Sequence, residues 1–125
     1  MKIPLLVLAL ALGVLGAGCS SNACSGNSCQ CAAGEPCAYD CVAGSQCRVQ
    51  CAPGEPCDVT CTAGDACEVQ CMTSTSCTVD CNGGPDCRIT GPATNTRVTD
   101  CQESTCLVTC GSEQASYSNA TASCP

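Results

Sequence analysis

Apolar and polar positions alternate in a fixed frame from Cys31 to Thr90. The segment reads CAAGEPCAYD, CVAGSQCRVQ, CAPGEPCDVT, CTAGDACEVQ, CMTSTSCTVD and CNGGPDCRIT, six decapeptides without an insertion. A period this short and regular marks a repeat architecture. Cys stands at positions one and seven of every unit, and position nine is Tyr39, Val49, Val59, Val69, Val79 or Ile89. From position seven to the next position one the pattern is Cys-x-Val-x-Cys, the alternation of a short strand with three residues facing inward. The residues between them, Arg48 and Gln50, Asp58 and Thr60, Glu68 and Gln70, Arg88 and Thr90, face water. Positions two to six, as in Ala52-Pro53-Gly54-Glu55-Pro56, are turn chemistry: Gly admits positive φ, and Pro, where present, locks its own φ at about −65°.

A unit of one strand and one turn cannot bury its own inward face. Stacking successive units does, and predicts an all-β, small disulfide-rich β-solenoid of ten-residue coils. Six such coils, rising ~4.8 Å each, would make a rod of roughly 30 Å. Tyr39 is too bulky for the column shared by Val49 to Ile89, so it is expected to cover the N-terminal end.

Composition explains why the frame is built on cysteine. The chain has 125 residues with 19 Cys, two Tyr and no Trp, Phe or His, so an ordinary apolar core is out of reach and a covalent framework must replace it. Position seven and the following position one stand at opposite ends of an extended strand, on the order of 13 Å apart, beyond the ~7 Å limit between bridged Cα atoms. Positions one and seven of one unit flank a reversing turn. The predicted bridges are therefore Cys31–Cys37, Cys41–Cys47, Cys51–Cys57, Cys61–Cys67, Cys71–Cys77 and Cys81–Cys87. The same C-x5-C spacing over residues 31 to 90 resembles the disulfide-laddered antifreeze solenoids of insects. That resemblance implies architecture alone, because the flat array of a single residue type that ice binding needs is missing.

After residue 90 the frame slips. "GPATNTRVTD", residues 91–100, lacks Cys and reads as an irregular coil or a loop, after which Cys101-x4-Cys106-Leu107-Val108-Thr109-Cys110 resumes the pattern. Residues 111–125 read as a low-complexity tail tied by Cys124, with Cys110 as its expected partner. Cys24 and Cys29 are expected to pair ahead of the repeat.

The N-terminal segment sets the cellular address. Met1-Lys2 precedes an apolar run from Leu5 to Val14 and the small residues Gly16-Ala17-Gly18, so residues 1–18 read as a helical signal peptide, too short to span a bilayer. The end, "LGAGCSS", resembles the lipobox of bacterial lipoproteins, although Gly16 occupies the place of the usual aliphatic residue. The resemblance implies acylation of Cys19, a tether over residues 19–30 and, from Ser20, sorting to the outer membrane or cell surface; plain secretion is the alternative. Parity agrees: 19 cysteines are odd, and setting Cys19 aside leaves an even set for bridging. Cleavage after Ala23 would leave the same even set.

Without Lys2 the chain keeps three basic residues, Arg48, Arg88 and Arg97, against eleven acidic ones. Such a surface repels nucleic acid and anionic headgroups. No His and no further Lys are present, so a Ser or Cys nucleophile lacks its customary base and a mixed-ligand zinc site is excluded. Glu35, Glu55, Asp65 and Asp86 fall on turns, read as one solvated edge. There is no C-x-x-C and a single C-x-C, Cys29-Gln30-Cys31, so bridges are favoured over metal thiolate, which stays a minor alternative. The expectation is a non-enzymatic lipoprotein without cofactor, held at the membrane by its lipid. The second reading is a binding module with an unknown protein or cell-surface partner, acting near Asn95 or through Arg48, Asp58 and Glu68.

Overall fold

The computed structural model describes residues 28–44, 46–92 and 94–125 together with the backbone of 22–24. The expectations for the signal peptide and Cys19 lie outside the described residues, as does the side chain of Cys24. The described residues form a disulfide-rich β-solenoid with strands and turns only.

Each Cys-x-Val-x-Cys segment is a strand. The odd ones, β1 (Asn22–Cys24), β3 (Cys37–Cys41), β5 (Pro56–Thr60), β7 (Ser76–Asp80) and β9 (Thr96–Thr99), lie side by side and parallel in one sheet. The even ones, β2 (Cys29–Gln30), β4 (Cys47–Gln50), β6 (Cys67–Gln70), β8 (Cys87–Gly91) and β10 (Cys106–Cys110), form the facing sheet, also parallel. Through the regular repeat the register runs from each residue to the one twenty further on, as in Cys47↔Cys67 and Val59↔Val79; it shortens to Cys77↔Thr96 and Cys87↔Cys106 where the frame slips, and to Asn22↔Tyr39 at the N-terminal end. The coil is therefore twenty residues, not ten. A C-x5-C turn reverses the chain, so the next strand runs back along the opposite wall, and only a second reversal returns it to parallel register with the first. The decapeptide is half a coil, and the expected six-coil rod is corrected to about four coils, roughly 20 Å of axial rise.

Between the sheets run two inner columns. One stacks Tyr39, Val59, Val79, Val98 and Ala122, the other Cys29, Val49, Val69, Ile89 and Val108. The valines are fully buried and Ile89 is 1 % exposed. Full burial of each such side chain stabilises by about 1.5–3 kcal/mol, but the layer is one side chain wide, so the two edges need another fastening.

The turns differ along the rod. Gly34, Gly44, Gly54 and Gly64 take left-handed φ of 74–88°, which is why position four is Gly in these units. Ser74 instead closes its turn by donating its backbone N–H (3.1 Å) and its hydroxyl (2.6 Å) to the Cys71 carbonyl.

Tyr39, expected to cover the N-terminal end, lies one strand inward of it, since β1 pairs beyond β3 with Asn22 as its register partner; it is half-buried and its hydroxyl donates to the Gln30 carbonyl at 2.9 Å. The C-terminal end is closed by β11 (Glu113–Gln114), β12 (Ser116–Ser118) and β13 (Thr121–Ser123), all paired antiparallel. Residues 111–125 are thus a folded cap rather than a tail held only by Cys124. Tyr117 does for β10 what a further strand would do: its hydroxyl accepts from Val108 N–H (2.9 Å) and donates to the Cys106 carbonyl (3.0 Å). The reversal of strand direction ends the parallel stack.

Candidate functional site

The sulfur columns follow from the turns. Along one edge the bridges Cys31–Cys37, Cys51–Cys57 and Cys71–Cys77 succeed one another, and along the opposite edge Cys41–Cys47, Cys61–Cys67, Cys81–Cys87 and Cys101–Cys106. Their Cα separations lie between 5.3 and 6.2 Å, the normal span of a disulfide. Cys110–Cys124 closes the C-terminal cap on the first edge, beneath Gly91 and Thr96. Cys29 is disulfide-bonded as well. Its expected partner, Cys24, has its side chain outside the described residues.

Successive bridges stack closely. The Sγ atoms of Cys31, Cys37, Cys51 and Cys57 all lie within 4.8 Å of one another, and Cys81 Sγ is 3.8 Å from Cys106 Sγ. The strand register stacks successive bridges, and the reversing turns bring the two cysteines of each bridge together.

The outward columns differ from a reading of consecutive units, because neighbours along the rod come from alternate units rather than successive ones. On the even sheet Arg48, Glu68, Arg88 and Leu107 form one column and Gln50, Gln70, Thr90 and Thr109 the next. Arg48 pairs with Glu68 at 2.9 Å, and Arg88 turns back to Asp86 at 3.0 Å. Gln70 donates to Glu68 at 3.1 Å and Gln30 to Gln50 at 3.2 Å. A shallow polar groove of about 290 Å³ runs between Gln46, Arg48, Glu68, Asp86 and Arg88. Asp58 is not part of this face: it stands on the odd sheet in a column with Ala38, Thr78 and Arg97.

The four turn carboxylates do not share an edge. Glu35 and Glu55 belong to the turns closed by Cys31–Cys37 and Cys51–Cys57, Asp65 and Asp86 to the turns on the opposite side. Asp65 accepts the Gly44 N–H at 2.7 Å and so ties two coils together. Asn95 is likewise engaged, its N–H donating to the Pro125 carbonyl at 3.2 Å.

Sequence reading singled out Tyr39 but not Tyr117. The signal was available, since Tyr117 is the one other aromatic residue and it stands outside the repeat. No helix among the described residues is long and apolar enough to cross a membrane. No family model matches the chain, and no curated protein or solved structure is similar to it.

Proposed function

We propose that the chain is a non-enzymatic cell-envelope lipoprotein, acylated at Cys19, that presents a rigid disulfide-fastened rod at the outer membrane or cell surface in a structural role. One observation carries this reading: all described cysteines are disulfide-bonded, so an odd total leaves one cysteine over, and Cys19 has the lipobox-like flank. Bridges at nearly every turn also suit an oxidising compartment. The test is the intact mass of the unreduced protein extracted from membranes. A chain beginning at Cys19, carrying acyl groups and nine bridges, supports the proposal. An unacylated chain beginning after Ala17 or Ala23 overturns it.

The polar groove favours a second reading, an anchored or secreted binding module such as an adhesin or inhibitor. Its contact face is the Arg48–Glu68–Arg88 column, a rigid row of alternating charge. A saturable partner captured on intact cells, and lost with Arg88→Ala, would favour binding over a purely structural role.

A further inference from the structure

The first two bridges of one sulfur column bring four sulfur atoms within 4.8 Å of one another, close enough for one metal ion to reach all four once the bridges are opened. We propose that Cys31, Cys37, Cys51 and Cys57, when reduced, hold one zinc ion as a tetrathiolate between the first two turns of that edge.

The argument is geometric. A tetrahedral zinc with Zn–S of about 2.3 Å places its sulfurs about 3.8 Å apart. The four Sγ atoms lie within 4.8 Å of one another; once both S–S bonds are broken, each formerly bonded pair must open from about 2 Å to about 3.8 Å, roughly an ångström of movement per sulfur. The other close sulfur groups, Cys41 with Cys61 and Cys67, Cys61 with Cys81 and Cys87, and Cys81 with Cys101 and Cys106, bring only three sulfurs together. Backbone pairing also ties these turns to their neighbours along the rod. Cys37 and Cys57 are register partners, Cys31 N–H donates to the Gln50 carbonyl at 3.0 Å, and Cys51 N–H donates to the Gln70 carbonyl at 2.9 Å.

Access points the same way. Cys31 is half-buried, as Cys29 and Cys41 are, whereas Cys51 is 6 % and Cys57 2 % exposed, so within this pair of bridges a reductant meets Cys31 first and reaches the second bridge through the first. A dithiol reduces each bridge to two thiols and is itself oxidised to a cyclic disulfide. Zinc then displaces the four thiol protons, which leave to solvent. One metal replaces two bridges as the fastening of the same two turns. The proposal does not depend on acylation of Cys19.

The experiment uses the full chain, treated anaerobically with two equivalents of a phosphine, each consuming one bridge and one water to give two thiols and phosphine oxide. Cobalt(II) is the probe. One ion per chain is expected, with the visible ligand-field bands and thiolate charge transfer of a tetrahedral four-sulfur site, and with zinc displacing it. Alkylation of the zinc-loaded protein should spare Cys31, Cys37, Cys51 and Cys57 and label them after chelation. In the paired variants, Cys51→Ser/Cys57→Ser should lose the bands, while Cys61→Ser/Cys67→Ser, which also lacks one bridge, should keep them. Absence of the bands, equal bands in both variants, or protection of a different set of cysteines in the native chain overturns the proposal.

Discussion

Gly91 and Thr96 stand where the sulfur column has a gap. Gly91 is the register partner of Cys110 and Thr96 of Cys77, so the pair lies between the bridges Cys71–Cys77 and Cys110–Cys124. A Cβ built on Gly91 would fall on the Thr96 Oγ1 and within 2.8 Å of its Cγ2. The Thr96 side chain, 2 % exposed, fills the space a disulfide takes elsewhere, and the missing Cβ of Gly91 makes room for it. The described residues of 91–100 therefore form a half-coil that has exchanged its bridge for a packed threonine, not a loop excursion.

It follows that the bridge can be restored. The double variant Gly91→Cys/Thr96→Cys should form a new disulfide, since Cys101–Cys106 spans the same five-residue separation with a Cα distance of 5.3 Å. Mass spectrometry should show the variant two hydrogens lighter than its sequence mass beyond the native bridges, and denaturation should show a gain of about 2 kcal/mol. Two alkylatable thiols in the folded variant would contradict the placement.

Removing bridges has the opposite effect. Each C-x5-C bridge closes a short loop, worth roughly 2 kcal/mol of unfolded-state entropy, and the inner columns are one side chain wide. Cys81→Ser/Cys87→Ser should lower the unfolding free energy by about 2–5 kcal/mol. Full reduction without metal should abolish the cooperative melt and the β-sheet circular dichroism. A cooperative transition that survives excess reductant would mean that the valine columns alone hold the fold.

The strand, the turn and the in-unit bridge could be read from the sequence because each is local. Cys47 and Cys41 are joined by a turn whose composition reports its reversal, and Val49 lies inward by simple alternation. Coil length could not be read the same way. Whether Val49 stacks on Val59 or on Val69 depends on which wall receives the next strand, a choice made across the whole cross-section. That one choice moved Asp58 to the sheet opposite Arg48 and Glu68, and split Glu35 and Glu55 from Asp65 and Asp86. Tyr117 was missed because its work is to satisfy Val108 and Cys106, a demand that exists only once the parallel stack has ended.

The left-handed turns give a test that involves no contact. Nothing lies within 4 Å of a Cβ added at Gly54, yet its φ is +74°. Gly54→Ala should cost about 1 kcal/mol through backbone strain alone. A Ser74→Ala substitution removes the 2.6 Å hydroxyl bond instead and should cost a similar amount, about 1 kcal/mol, through the Cys71 carbonyl. If Gly54→Ala is neutral in denaturation, the position-four glycines are not held in the left-handed region.

The closing tyrosine offers the sharpest discrimination between cap and core. Tyr117→Phe keeps the ring over the end of the stack but removes the group that pairs with Val108 N–H and the Cys106 carbonyl. Both backbone groups belong to a buried strand, and leaving them unpaired should cost about 1–3 kcal/mol each, less whatever water recovers at the half-buried end. Amide exchange should speed up at Val108 first, with Val69, two coils inward, changing only as global stability falls. Equal acceleration at both amides would show that the rod unfolds as one unit from the cap inward. Unchanged exchange at Val108 would show that the hydroxyl does not stand in for a strand.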